Sequence, residues 1–123
     1  MINNAKIMTF VATKDPAHAK NFYEQTLGLK LAGDDPFALV FDAQGTMLRI
    51  QKVKEFNPAP FTVLGWEVAD INAEVDGLAG RGVEFARYEW LPQDERGIWT
   101  TPDGARVAWF KDPDGNVLSL TQF

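Results

Sequence analysis

The sequence predicts an α+β fold built from two tandem β-α-β-β-β modules, and three observations carry that expectation. The stretches "LVFDAQGTMLRI" (residues 39–50) and "WFKDPDGNVLSL" (residues 109–120) run in step, with Asp42 over Asp112, Gly45 over Gly115, Leu48 over Leu118 and Ile50 over Leu120. Such an echo is the signature of a repeated structural unit. Each half also carries one helix punctuated at both ends, an Asp before it and a Gly after it. The segments that follow each helix are short, β-rich and separated by turn residues.

In chain order, "MTFVAT" reads as a strand that leads to Asp15 and Pro16. Asp at the N-cap and Pro at the first helical position start a helix whose apolar residues are Ala19, Phe22, Tyr23 and Leu27, and Gly28 closes it. "LKLA", "FALVFD" and "TMLRIQKV" are the three strands that complete module one. "KEFNPAPFT", with its two prolines, reads as an extended connection. Module two starts with a strand at "VLGWEV"; Asp70 then caps a helix with the apolar face Ile71, Val75, Leu78 and Ala79, ending at Gly82. Its strands are expected in "VEFARYEW", "ARVAWFKD" and "NVLSLTQF". The turns "DAQGT" and "DPDGN" each place an Asp early and a Gly late, where Gly supplies the positive φ of a tight hairpin. The bounds are about 5–54 for module one, 55–60 for the linker and 61–123 for module two. Neither half alone promises enough buried apolar surface, so one domain over residues 1–123 is expected.

Composition narrows the function classes. With 123 residues, 46% of them apolar, the chain is long enough for a real core. There is no cysteine, hence no disulfide, thiolate metal site or cysteine nucleophile. The net charge is −5 and the basic residues are scattered, which argues against nucleic acid as a partner. The start "MINNAKIMTF" lacks the basic and apolar regions of a signal peptide, and no segment is long and apolar enough for a membrane span. These features lead to the expectation of a cytoplasmic protein with no membrane partner. Ser119 has no adjacent histidine for a hydrolase triad, and the glycines of "PDGAR" and "DPDGN" do not lead into a helix as phosphate loops do.

The paired modules, "KNFYEQTLGL" on the first helix and "FKDPDGN" before the last strand together resemble the vicinal oxygen chelate superfamily, which includes glyoxalase I, bleomycin resistance proteins and extradiol dioxygenases. The resemblance covers nearly the whole chain. It implies that the two modules form a pseudo-twofold, incomplete barrel whose concave side holds a divalent metal or a bound drug, and it implies a homodimer. Metal enzymes of the family place a His on the first strand of a module and a Glu on its last strand. Carried over, those positions are Met8, Arg49, Val63 and Ser119. A thioether, a guanidinium, an aliphatic and a hydroxyl do not make a divalent-cation site. The only histidine, His18, reads as a solvated helix residue.

The expectation is therefore a metal-free protein with no cofactor and no assigned catalytic residue, binding a small, partly apolar molecule. The residues expected to line its cleft are Met8, Phe10, Met47, Arg49, Val63, Glu67, Trp99, Phe110 and Ser119. Arg49 could grip a carboxylate or phosphate as a planar fork, or be neutralised by Glu67. Strand parity assigns Trp66 and Trp109 to the core, with Ala108 and Phe110 on the concave side. Trp99 and Trp90 flank the polar loop "LPQDERGI" and could cover the cleft as a lid, whereas Asp94 and Glu95 on that loop read as solvated. Glu67 would suit a general base if it were buried in an apolar cleft. The rival reading is a metal-dependent lyase, isomerase or dioxygenase with unorthodox ligands, and a third is a vestigial cleft on a protein that acts through its dimer surface.

Overall fold

The structure, a computed structural model, describes Met1 to Phe123. The chain divides into two compact units, Met1–Asn57 and Pro58–Phe123. The first holds β1 (Met8–Thr13), α1 (Pro16–Asn21), β2 (Lys30–Asp34), β3 (Ala38–Ala43) and β4 (Thr46–Lys52). The second holds β5 (Thr62–Glu67), α2 (Ile71–Gly80), β6 (Trp99–Thr100), β7 (Arg106–Lys111) and β8 (Val117–Gln122). Each unit forms one open four-stranded sheet, ordered β1-β4-β3-β2 in the first and β5-β8-β7-β6 in the second. The outer pairs β1–β4 and β5–β8 are parallel, and the hairpins β3–β4 and β7–β8 are antiparallel. The repeated order is that of two tandem α+β modules. No helix is long and apolar enough to cross a membrane.

Both helices start where their caps dictate. The Asp15 carboxylate accepts from the His18 backbone N–H at 3.3 Å and also bonds the His18 imidazole, while Pro16 occupies the first turn. Beyond Asn21 the helix continues over Phe22–Thr26 with a wider, π-type turn, Leu27 N–H donating to Phe22 C=O, and Gly28 at φ 76° ends it. Ala19 and Tyr23 are buried, and the Tyr23 ring lies 5.9 Å from Phe41 of β3. In module two, the Asp70 carboxylate accepts from the Ala73 N–H, and Ile71, Val75 and Leu78 form the buried stripe against β7 and β8. Ala79, expected on that stripe, is exposed because it lies about 100° round the helix from Leu78.

Strand alternation sorts the side chains of each sheet into a core face and an open face. In module one Val11, Leu39, Phe41, Leu48 and Ile50 are all buried on the core face. In module two Ala108, Phe110, Leu118 and Leu120 take that place. Phe41 pairs with Leu48 across the first hairpin and Phe110 pairs with Leu118 across the second. Phe41 and Phe110 are 69 positions apart, whereas Leu48 and Leu118 are 70 apart. The second hairpin therefore carries one residue more between equivalent pairs.

That extra residue corrects the expected parity of β7. The first turn is tight, with Gln44 and Gly45 both at positive φ and the Asp42 carboxylate accepting from Gly45 N–H. The second is wider. Asp112 is buried and its carboxylate accepts from the backbone of Asp114 and Asn116 and from the Asn116 side chain, which stabilises the longer loop. Carrying one offset through the turn reversed the faces before it, since a one-residue slip exchanges the two sides of a strand. Phe110, expected on the open side, is core at 1% exposure; Trp109, expected in the core, is opposite Ser119 on the other face. Trp66 lies on the helix side as expected, although it stays half-buried.

Module two departs from expectation in a second place. Residues 83–90 do not form a strand: only Phe85 bridges to Phe110, and Ala86 N–H donates to Trp109 C=O. Beyond that point the backbone partners of a strand are replaced by one side chain. Gln93 accepts from Tyr88 N–H at 2.7 Å and donates to the carbonyls of Ala86 and Gly97, each at 2.9 Å. The sheet edge passes instead to Trp99–Thr100, paired with Val107 and Arg106. Three hydrogen bonds at a part-buried site make Gln93→Ala costly, by about 2–3 kcal/mol in urea unfolding at roughly 1 kcal/mol per bond. Gln93→Glu should be at least as destabilising, because a carboxylate would oppose two carbonyl oxygens; wild-type stability of that variant would disprove the clamp.

Candidate functional site

The open face of the first sheet gathers four of the expected residues. Met8 pairs with Met47 and Phe10 with Arg49, so the four form a block on neighbouring strands, and Val40 lies on the other side of Arg49. Met8, Phe10 and Met47 are each more than two-fifths exposed, although all are apolar. Their uncovered area is the kind of surface that binds something. Arg49 is the cation next to this block; Lys30 and Asp42 carry charge further along the same face, beside Met47. The Arg49 guanidinium lies 3.6 Å from the Asp35 carboxylate of the same module, a partner that the sequence reading did not consider.

Asp35 is held mainly by backbone. Its carboxylate accepts from Phe37 N–H at 2.7 Å and Ala38 N–H at 2.9 Å, closing the bend between β2 and β3. These two amides, with smaller help from Arg49 and Lys52, hold its pKa below the ordinary carboxylate value of 3.8. Arg49 is therefore tethered by a long, solvent-accessible contact to an acid that is already satisfied. A ligand anion could replace that contact at small cost.

The open face of the second sheet presents Val63, Gly65 and Glu67 from β5, Ser119 from β8, Trp109 from β7 and Trp99 from β6. A side chain at Gly65 would place its Cβ 2.9 Å from Ser119 Oγ and 3.3 Å from Ser119 C=O, so glycine lets β5 and β8 pair here without turning the Ser119 hydroxyl aside. Glu67 is exposed near the strand end, which removes the burial on which a general-base role depended. Phe110 is absent from this face for the reason given above. Trp99 is a strand residue stacked on Trp109, with ring centroids 6.1 Å apart and planes 26° apart, and not the tip of a lid.

The loop before Trp99 is braced from within. Asp94, expected to be solvated, accepts from Arg96 N–H and Ile98 N–H through its carboxylate. The Arg87 guanidinium donates to the backbone carbonyls of Asp94 and Glu95, and Arg96 forms a forked pair with Asp76 at 2.8 and 3.2 Å. Glu95 itself is exposed. Alongside this loop is a cavity of about 270 Å³, bounded by Pro60, Phe61, Tyr88, Trp90, Leu91 and Trp109. Apart from Trp90, considered as a cover for the cleft, and Trp109, assigned to the core, these residues were not singled out from the sequence. The sequence signal was the aromatic cluster "RYEW", which was read as a strand.

The family resemblance implies a divalent metal, and the residues present do not fit one. Met8 and Val63 bring no oxygen or nitrogen donor, Arg49 brings a cation, and Ser119 brings a single neutral hydroxyl. No group of three His, Cys, Asp or Glu side chains in the chain is placed to hold an ion.

The electrostatics of Asp35 predict a specific titration. A depressed pKa stabilises the fold above the unfolded carboxylate value, and that stability is lost as pH falls through the folded value. Because the two amides dominate, Arg49→Ala should raise the Asp35 pKa only part of the way back to 3.8. Carboxyl-detected NMR titration reads this, and a complete return to the free-carboxylate value would show that the guanidinium dominates instead.

Comparison with known proteins places this geometry. Residues 6–120 match the model of the glyoxalase/bleomycin resistance protein/dioxygenase superfamily. No curated protein sequence matches the chain. Among solved structures, a glyoxalase family protein from Enterococcus faecalis superposes with a TM-score of 0.75 at 21% identity, covering 98% of this chain and 99% of that one. A glyoxalase/bleomycin resistance protein/dioxygenase from Alicyclobacillus acidocaldarius gives 0.70 at 21% identity, over 98% and 92% of the two chains. A lactoylglutathione lyase from Agrobacterium tumefaciens gives 0.70 at 18% identity, over 96% and 93%. At these identities the structural matches speak for the fold, and the matched model supplies the family: the chain belongs to the glyoxalase/bleomycin resistance protein/dioxygenase superfamily.

Proposed function

We propose that this protein binds a small, partly apolar molecule without a metal ion, using the open faces of its sheets. The observation that carries the reading is that the uncovered apolar side chains Met8, Phe10 and Met47 lie beside Arg49, whose contact with Asp35 is loose. Met8, Phe10 and Met47 surround Arg49 on the first sheet, and Val63, Ser119 and Trp99 share a face with Glu67 on the second. Apolar contact supplies affinity, and one charge orients the ligand. Arg49 suits a carboxylate or phosphate group, because its planar fork can exchange the loose Asp35 contact for a closer, charge-assisted one. The donor chemistry at Met8, Arg49, Val63 and Ser119 argues against the metal-dependent lyase, isomerase and dioxygenase activities of the family. We also read the working unit as a homodimer, as the family resemblance implies.

Two titrations test this. Calorimetry with Zn²⁺, Ni²⁺, Mn²⁺ and Fe²⁺ should show no saturable, stoichiometric uptake; tight binding of one ion per chain would refute the metal-free reading. A panel of small amphiphilic carboxylates and phosphates should give saturable changes in tryptophan emission. For an anionic binder Arg49→Met should weaken the response by roughly tenfold or more, as hydrogen bonds to charged groups are worth about 1.5–3 kcal/mol. A panel without any saturable response would favour a vestigial face.

A further inference from the structure

We infer that the cavity of module two is a subsite for a planar, uncharged aromatic ring system, carried as the apolar part of the ligand. This assignment rests on the binding reading above and adds a location and a chemical class to it. All the residues involved belong to the unit Pro58–Phe123. The cavity holds about 270 Å³, a volume at the scale of a compact ligand fragment and not of a macromolecular partner.

Three features point to a flat ring. The walls are ring faces and edges: Trp109 meets Tyr88 edge-on at 5.5 Å and 87°, and Tyr88 meets Trp90 at 5.5 Å and 42°. The rings are also held before anything binds. Tyr88 N–H is fixed by Gln93, Leu91 N–H donates back to Tyr88 C=O, and Trp109 is backed by Trp99. Trp90 is nevertheless 76% exposed and Phe61 65% exposed on the rim. The Trp90 indole touches Tyr88 on one side and is otherwise uncovered; the missing cover is what a stacked ring would supply.

The third feature is charge. No ionisable side chain other than the Tyr88 phenol lines the cavity. An anion would meet the negative faces of several rings with no cation to offset them; a hydrated cation would be drawn to those faces but would find no carboxylate to replace its water, so a neutral ring gives up the least solvation on entry. A neutral ring loses little solvation and gains offset or edge-to-face contact with the walls. The Thr62 and Tyr88 hydroxyls and the two indole N–H groups are the side-chain polar atoms available to a ring heteroatom or hydroxyl.

The test uses 2-naphthol as the planar neutral probe. Its saturated counterpart, decahydro-2-naphthol, matches its ring skeleton but is not flat, and naphthalene-2-sulfonate is the planar anion. Indole N–H signals are followed by NMR in the full chain. 2-Naphthol should shift the Trp90 and Trp109 signals saturably and leave Trp66, outside the cavity lining, unmoved. Trp90→Ala should weaken its binding by roughly tenfold, as lost ring stacking and burial imply. Because Trp90 and Phe61 are mostly exposed, the fold should survive either change; Phe61→Ala serves as the second variant, and near-ultraviolet circular dichroism checks that the core is intact. Full affinity in both variants, equal affinity for the saturated probe, equal affinity for the sulfonated probe in the Arg49→Met background, or no movement of the Trp90 and Trp109 signals would each overturn the assignment. None of those results touches the metal titration or the Arg49 dependence, so failure of this subsite and failure of the broader binding reading are told apart.

Discussion

The strict two-residue period of a β-strand is the constraint on which the rest of this structure depends. Once a hairpin has its length, every side chain before and after the turn is committed to a face. In module one a tight turn at Gln44 and Gly45 sets Phe41 beside Leu48 in the core and leaves Arg49 outside. In module two the longer Asp112–Asn116 turn sets Phe110 beside Leu118 and places Trp109 outside. The contents of both open faces, and therefore any ligand they could accept, follow from those two turn lengths.

The same chemistry closes the turns and bends, with side-chain oxygens and amides replacing absent backbone partners. Asp42, Asp112 and Asp35 each accept N–H groups from residues two to four positions ahead. Gln93 does this for residues on both sides of itself, bonding Tyr88 N–H and the Ala86 and Gly97 carbonyls where the chain leaves the sheet after Ala86. Freed from pairing, that segment brings Tyr88 and Trp90 to the rim of a cavity instead of to a strand edge. A structural need, satisfaction of buried backbone groups, thereby creates a feature that a regular second module would lack.

Within the superfamily, the chain keeps the scaffold and lacks the donors of a metal centre. The fold does not require the ion: each module has its own core, Val11, Leu48 and Ile50 in one and Ile71, Leu118 and Leu120 in the other. A position such as Met8 or Val63 can thus exchange a ligand for an apolar group without loss of the sheet. What that exchange offers is apolar surface, beside which Arg49 on the first face and Glu67 on the second carry charge.

The sequence by itself determined the features that depend on neighbours along the chain. The duplicated modules, the helix caps at Asp15 and Asp70, the two hairpins, and the opposite facing of Leu48 and Arg49 were legible because capping, turn formation and alternation act within a few residues. Met8, Phe10, Met47 and Arg49 share one face of the first sheet for the same reason, since no irregularity intervenes in β1 or β4. Tertiary structure decided what depends on counting across a turn or on a distant partner. The face of Phe110 and Trp109 changed with one extra loop residue, the partner of Arg49 came from the β2–β3 bend, and the "RYEW" segment lies off the sheet, with Tyr88 N–H bonded to the Gln93 side chain. Each of those outcomes turns on a length or a bond that composition and periodicity do not encode.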